Sequence, residues 1–170
     1  TEKLRKCTKL KRGAKVFLYP VNNPSQYGIA EIKKNKIKNI VEKPKKPFSN
    51  LAITGLYFFD NNVVKLSKTL KPSKRNEIEI VDLLKKYKSK NELSAEFIGR
   101  GAAWLDAGSI KDFYEASAFV AAIENRQGLK IGCLEEIALK NKWVSKKNLL
   151  SSIKFYGKCE YSNYLNKLIK

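Results

Sequence analysis

The sequence predicts an α/β fold, a mixed sheet followed by a helical C-terminal cap, and three observations carry that reading. Short apolar runs bounded by turn residues fill the chain before Gly99. Of the 170 residues, 43% are hydrophobic, enough for a sizeable core. After Ser109 every apolar pattern has helical spacing. The division this implies is a sheet-bearing part over 1–108 and a helical part over 109–170.

Residues Thr1 to Gly13 are polar and basic, the tail of a helix that Gly13 stops. Lys15–Tyr19 is a short strand closed by Pro20, and Asn22–Gln26 is turn chemistry. Tyr27–Ile32 and Ile37–Glu42 form a hairpin about Lys34-Asn35-Lys36, which Pro44 and Pro47 terminate. Leu51–Phe59 is the most hydrophobic segment. With bulky apolar residues on both parities it reads as a central strand covered on both faces. Asp60-Asn61-Asn62 opens a helix through Thr69. A second helix sets Ile80, Leu83 and Tyr87 on one face, and Leu93–Ile98 returns as a strand. Ser109 caps a helix running to Arg126, with Asp112 making an approximate capping box. Its Ile110, Phe113, Ala116, Val120 and Ile123 give one apolar face to lay against a sheet. Helices follow at about 134–140, about 145–152 and 160–170; in the last, Tyr161, Tyr164, Leu165 and Leu168 share a face.

Composition narrows the function. The net charge is +19, but the only arginines are Arg5, Arg12, Arg75, Arg100 and Arg126, so 30 of the 35 basic residues are lysines. They are spread along the whole chain. Nucleic-acid recognition favours clustered arginine, so a drift towards lysine at exposed positions explains the charge better than a polyanion surface. No run of 18 apolar residues suggests a membrane span, and the start lacks the apolar core of a secretory signal. Three widely spaced cysteines and no histidine argue against a zinc site or a disulfide framework, and free thiols fit a reducing cytoplasm. Without histidine, Ser/His and Cys/His nucleophilic catalysis are excluded. Neither GxGxxG nor GxxxxGK[ST] occurs.

Two places carry candidate chemistry. From Gly99 to Ser109 the chain reads as a strand end bearing Asp106, then a glycine turn, then a helix start. Open α/β sheets keep ligands at such corners, although a plain corner with a solvated aspartate has the same spacing. Glu42-Lys43-Pro44 puts a carboxylate and an ammonium together at a strand terminus. That pair suits an anionic, hydroxyl-bearing ligand, or is a solvated pair beside a turn. Gly28 either lets a ligand approach the backbone or simply leaves a turn. Gly55, on the same face as Ile53 and Tyr57, marks either a ligand or a closely packed helix. Glu42 with Asp106 as a glycosidase pair has no support in the spacing.

Further motifs occur in a fixed order over nearly the whole chain: Asn23-Pro24-Ser25-Gln26-Tyr27-Gly28, Glu42-Lys43-Pro44, Ser49-Asn50, Ile53-Thr54-Gly55-Leu56-Tyr57-Phe58-Phe59-Asp60, Leu70-Lys71-Pro72-Ser73, Gly99-Arg100-Gly101, Trp104-Leu105-Asp106-Ala107-Gly108, and Ile123 to Lys130. The ordered set resembles the C-terminal part of the glucose-1-phosphate thymidylyltransferases, in the sugar-nucleotide pyrophosphorylase family. The Ile123–Lys130 stretch points to the thymidylyl branch. The resemblance implies the C-terminal portion of a Rossmann-like nucleotidyltransferase sheet. It also implies a cytoplasmic Mg²⁺-dependent enzyme, tetrameric when whole, that makes dTDP-glucose from dTTP and glucose 1-phosphate for dTDP-rhamnose and polysaccharide synthesis.

By carry-over, Glu42 binds sugar hydroxyls and Lys43 the sugar's phosphate. Tyr27, Gly28, Ile53, Gly55 and Tyr57 line the sugar pocket, Trp104 packs nearby, and Asp106 is one of two aspartates on Mg²⁺. Arg100, Glu136, Ile137 and Lys140 fall where the family keeps a regulatory nucleotide site, with Lys140 standing in for an arginine. The family's glycine-rich loop G-G-x-G-T-R-L, its catalytic lysine and its first metal aspartate have no counterpart here. The resemblance therefore implies a fragment that does not catalyse nucleotidyl transfer alone. The other functional classes are a non-catalytic sugar-nucleotide-binding regulatory module and, behind it, a basic polyanion-binding protein. The missing half also implies a bare sheet edge at the strand ending in Phe59.

Overall fold

The structure, a computed structural model, describes residues 2–170 and forms two compact units, one ending at Trp104 and one running from Leu105 to Lys170. The first unit holds helix α1 (Glu2–Cys7), strands β1 (Ala14–Pro20), β2 (Gly28–Lys33), β3 (Lys36–Glu42) and β4 (Leu51–Phe59), helices α2 (Asn62–Ser67) and α3 (Ile80–Ser89), and strand β5 (Leu93–Phe97). The second holds only helices: α4 (Ile110–Gln127), α5 (Leu134–Lys140), α6 (Lys146–Tyr156) and α7 (Glu160–Ile169).

The five strands make one mixed sheet in the order β3-β2-β4-β1-β5, antiparallel except where β1 runs parallel to β5. Lys34 and Asn35, at φ 49° and 59°, make the tight two-residue turn of the β2–β3 hairpin. One face of the sheet carries the core. Val16 and Leu18 of β1, Ala30 of β2, Ile40 of β3 and Ile53 of β4 pack under Val81 and Leu84 of α3. Burying each such aliphatic side chain contributes roughly 1.5–3 kcal/mol.

β4 is central, third of five, but it is not covered throughout. Ala52 to Thr54 are buried, whereas Gly55 is exposed and Leu56 retains 38% of its surface. The cause is a bulge. Val16 faces Tyr57 and Leu18 faces Ile53, so Phe17 alone opposes Thr54, Gly55 and Leu56. A Cβ on Gly55 would meet nothing within 4 Å. Among the described residues no helix packs closely on this glycine, which sits in the kink of a strand.

Asp60 ties the first unit together. Its carboxylate accepts from the Gly13 N–H at 2.7 Å, the Asn62 N–H at 3.0 Å and the Tyr87 hydroxyl at 2.8 Å, linking the chain before β1, the start of α2 and the last turn of α3. Burial alone would raise this carboxyl. The bonds from Gly13, Tyr87 and Asn62 outweigh it and hold the carboxyl below the usual carboxylate range.

Several boundaries differ from the pattern reading. α1 stops at Cys7, well before Gly13. Gly13 does something else: at φ +89° it passes so near the Glu92 carbonyl that a Cβ would lie 2.4 Å from the oxygen. α3 buries Val81, Leu83, Leu84 and Tyr87, so its inner face is turned away from Ile80. The strand predicted to run into Asp106 ends at Phe97, because β5 is the last strand of the sheet and the Gly99–Ala102 turn leads it away. Ser109 does cap α4, its hydroxyl accepting the Asp112 N–H at 3.1 Å. The apolar face that follows buries no residue, and Ile110 is 92% exposed. α6 runs four residues further than the pattern suggested, to Tyr156. α7 behaves as its spacing predicts: Tyr164 and Leu165 pack with Cys133, Tyr161 and Leu168.

Candidate functional site

The corner at Glu42 is built by the β2–β3 pairing. Gly28 and Glu42 are direct partners across the hairpin, and Lys43 continues the contact by donating its N–H to the Tyr27 carbonyl at 3.0 Å. Pro44 follows at once. A residue before proline favours extended backbone, yet Lys43 sits at φ +40°, a left-handed conformation strained for any side chain. Strain of this kind costs roughly 1–3 kcal/mol and persists where surrounding structure imposes it.

Gly28 is explained by Glu42. A Cβ at position 28 would lie 2.8 Å from Glu42 Oε2 and 3.0 Å from Val81 Cγ2. The missing side chain is thus the space in which the Glu42 carboxylate lies. Gly28→Ala is expected to cost the fold about 1–3 kcal/mol, because the Glu42 carboxylate can swing aside but the buried Val81 methyl has little room to give. It should also displace the carboxylate. The urea midpoint measures the cost, and a midpoint equal to that of the parent would contradict it.

Burial raises the Glu42 carboxyl above its usual value, and the charge of Glu79 adds to this, while Lys43 and Arg75 work the other way. Tyr57, half-buried, has its hydroxyl raised first by burial and then by the Glu42 charge. Tyr57 stacks on Phe59 with ring centres 6.0 Å apart, giving this side of the corner an aromatic wall. Lys43 is exposed and forms no ion pair within 4 Å among the described residues.

Arg75 was not visible in the motif reading and is part of the corner. Its guanidinium lies 2.9 Å from Glu77, 3.4 Å from Glu79 and 3.8 Å from Glu42. The turn that presents it is folded around Ser73, whose hydroxyl accepts the Arg75 N–H and donates to Glu79. Glu42 is held most loosely of the three, which leaves its carboxylate free to accept from another donor. A signal existed in the sequence: an arginine kept among 30 lysines marks a place where a planar fork of donors matters.

The remaining predicted residues are placed as follows. Ile53 is a buried member of the core cluster, with Tyr57 packed against the same cluster. Trp104 meets Tyr27 edge-on at 5.2 Å and Tyr19 at 6.0 Å, so Tyr27 touches Trp104 with its ring and Lys43 with its carbonyl. Arg100 lies in the exposed turn after β5. Glu136 is buried, accepts a hydrogen bond from Tyr164 and pairs with Lys140 at 2.6 Å. The Lys140 bond, followed by that of Tyr164, holds its carboxyl below the usual range. Ile137 is exposed.

Asp106 belongs to the second unit, where one carboxylate oxygen accepts the Ala107 N–H at 2.9 Å. Mg²⁺ takes octahedral oxygen coordination, usually with one or two carboxylates alongside substrate phosphates. Among the described residues no group of three His, Cys, Asp or Glu side chains is arranged to hold a metal ion. Asp106 offers one carboxylate, so an Mg²⁺ ion there would need a second carboxylate or substrate oxygens and water to complete its octahedron. No described helix is long and apolar enough to cross a membrane.

Comparison with known proteins matches the chain to one family. A sequence model of the Nucleotidyl transferase family covers residues 1–123. The chain is 43% identical over its full length to glucose-1-phosphate thymidylyltransferase of Neisseria meningitidis, of which it spans 59%. It is 38% identical to the Mycobacterium tuberculosis enzyme of that name over 96% of the chain and, again, 59% of the relative. A Bacillus anthracis crystal structure described as a putative glucose-1-phosphate thymidylyltransferase superposes with TM-score 0.62 and 38% identity, over 69% of this chain and 47% of that one. A UDP-glucose pyrophosphorylase complexed with UDP-glucose gives TM-score 0.57 and 27% identity, over 69% and 46%. The chain thus corresponds to about three-fifths of the relatives it matches.

Proposed function

The chain belongs to the Nucleotidyl transferase family, and we propose that it forms the sugar-phosphate-binding portion of a glucose-1-phosphate thymidylyltransferase. The whole protein would join dTTP and α-D-glucose 1-phosphate into dTDP-glucose and pyrophosphate. A phosphate oxygen of the sugar attacks the α-phosphorus, and the bond to the leaving pyrophosphate breaks. The observation that supports this best is the Glu42 corner, a half-buried carboxylate flanked by a strained, uncommitted lysine and by Arg75. Glu42 accepts from sugar hydroxyls, Lys43 meets the phosphate, and Arg75 steadies the carboxylate beside them. Tyr27, Gly28, Ile53, Gly55 and Tyr57 shape the pocket, with Trp104 packed on Tyr27. Each charged hydrogen bond contributes roughly 1.5–3 kcal/mol, and catalysis by such a site is mainly positioning.

Mg²⁺ dependence is assigned to the whole protein, in which Asp106 supplies one ligand. A regulatory nucleotide site at Arg100, Glu136, Ile137 and Lys140, a homotetramer, a cytoplasmic location and a place ahead of dTDP-rhamnose and polysaccharide synthesis belong to the same proposal. The chain alone is expected to release no pyrophosphate from dTTP and glucose 1-phosphate, since it carries no glycine-rich phosphate loop.

Calorimetric titration of this chain with glucose 1-phosphate tests the binding role. The Glu42 carboxyl is raised in the fold, so it protonates at a higher pH than an ordinary glutamate of about 4.3. Affinity is expected to fall as pH drops through the raised Glu42 value, and Glu42→Gln should flatten that part of the profile. The slope left in the variant belongs to the ligand phosphate, whose second pKa is about 6. An unchanged profile in Glu42→Gln, or no difference between glucose 1-phosphate and glucose, would refute the assignment.

A further inference from the structure

Cys133 and Cys159 line one cavity of the second unit, a space of about 460 Å³ whose walls also include Glu124, Lys130 and Tyr161. The two thiols differ chemically. Cys159 is exposed and takes the N-cap position of α7, where its sulfur accepts the Ser162 N–H at 3.4 Å. The Ser162 hydroxyl lies 3.3 Å from the same sulfur. That hydroxyl, then that N–H, hold the Cys159 thiol below its usual value, against the opposing charge of Glu160. Cys133 is buried at the N-cap of α5, with its sulfur 3.2 Å from the Tyr161 hydroxyl.

The proton in that contact has one consistent place. A tyrosine carries a single hydroxyl hydrogen, and Tyr161 donates it to Glu135. The Cys133 S–H is therefore the donor to the Tyr161 oxygen. A chain of hydrogen bonds thus runs from the buried thiol through Tyr161 to the Glu135 carboxylate, which also accepts from the Tyr156 hydroxyl at 3.0 Å. Buried thiols are normally inert, since the thiolate is the nucleophile and burial opposes its formation. This one has a proton acceptor within reach. Tyr161 stands two residues after Cys159, so the first turn of α7 carries both the exposed sulfur and the group that touches the buried one.

We propose that Cys133 and Cys159 are a reversible redox pair, in which Cys159 is the sulfur that a peroxide oxidises and Cys133 closes the disulfide. The Cys159 thiolate attacks one peroxide oxygen. The O–O bond breaks, the sulfur becomes a sulfenic acid, and hydroxide leaves with the proton the thiol had released, as water. The Cys133 sulfur then displaces the hydroxyl from Cys159, forming the S–S bond and breaking the S–O bond. Its proton passes through Tyr161 to Glu135 and on to the departing hydroxide, as a second water. Two thiols and one peroxide become one disulfide and two waters, and a dithiol reverses the change by exchange. The pair shares no residue with the Glu42 corner and stands independently of the sugar-phosphate reading.

The test is treatment of the reduced 170-residue chain with hydrogen peroxide, read by intact mass and peptide mapping. The expected product is a monomer lighter by two hydrogens, with Cys133 linked to Cys159 and the buried Cys7 still a thiol. Dithiothreitol should restore the starting mass. Cys159→Ser should slow consumption of peroxide at least about tenfold. Cys133→Ser should stop at the Cys159 sulfenic acid, which dimedone traps. Tyr161→Phe should form that sulfenic acid at the parent rate but close the bridge at least about tenfold more slowly, a split between steps that a packing role would not produce. The parent's own peptide map decides the case should Cys133→Ser fail to fold. The proposal is overturned if peroxide carries Cys159 to the sulfinic acid while Cys133 stays free, if the bridge joins two molecules, or if Cys159→Ser consumes peroxide as the parent does.

Discussion

Replacing Asp60 with alanine is expected to destabilise the first unit by about 3–5 kcal/mol, read as a drop in urea midpoint with an unchanged slope. The carboxylate is buried and satisfies the Gly13 N–H, the Tyr87 hydroxyl and the Asn62 N–H at once. Without it two of these donors stay buried and unpaired, at about 1–3 kcal/mol each. Tyr87→Phe removes one donor along with its share of the acceptor, so about 1 kcal/mol is expected. The acid response has a definite sign. The folded carboxyl titrates below its ordinary value, so this stabilisation is present above the unfolded pKa of about 3.9 and is lost as pH falls through the folded value. Asp60→Asn should remove that acid-dependent component. A parent protein whose stability between pH 5 and pH 3 matches that of Asp60→Asn would contradict the assignment.

Lys43→Gly is expected to raise stability and lower affinity together. Lys43 holds φ +40° directly before Pro44, a conformation that glycine adopts without penalty, so the variant should gain about 1 kcal/mol. It also loses the ammonium proposed to meet the sugar's phosphate, a charged hydrogen bond of roughly 1.5–3 kcal/mol, or about ten- to a hundredfold in affinity. Lys43→Ala separates the terms, because it loses the charge and keeps the strain. The measurement is a pair of melts and titrations on both variants. A Lys43→Gly protein that is less stable, or that binds glucose 1-phosphate as the parent does, would remove the reason given for the strain.

Much of the first unit was legible from local signals. The hairpin about Lys34 and Asn35, the end of β3 at Glu42, and the span and centrality of β4 follow from turn residues and apolar runs that act over a few positions. The errors share a cause. Gly13 reads as a helix stop because its real constraint, the Glu92 carbonyl, lies 79 positions away. Gly55 reads as facing either a ligand or a closely packed helix, and the bulge it occupies depends on the register of the partner strand. The apolar face of α4 was correctly periodic, but periodicity does not say whether anything covers it. Within the site, Gly28 and Glu42 were each visible, and only pairing across the hairpin shows that one makes room for the other. Arg75 reaches Glu42 from a loop 33 positions on. No local pattern encodes that approach.

The topology around β1 also governs the order in which the first unit folds. β2 and β3 are joined by a two-residue turn and pair within 15 positions, a closure that takes microseconds. β1 is synthesised before either, but Ala14 to Leu18 lie beside Leu93 to Phe97 in the finished sheet. It can pair with β4 once Phe59 has been made, but its other edge waits for Leu93 to Phe97, 79 positions beyond its own residues. Pairings so distant in sequence make folding slow, and the dense lysines of this chain keep the waiting intermediate apart from its neighbours.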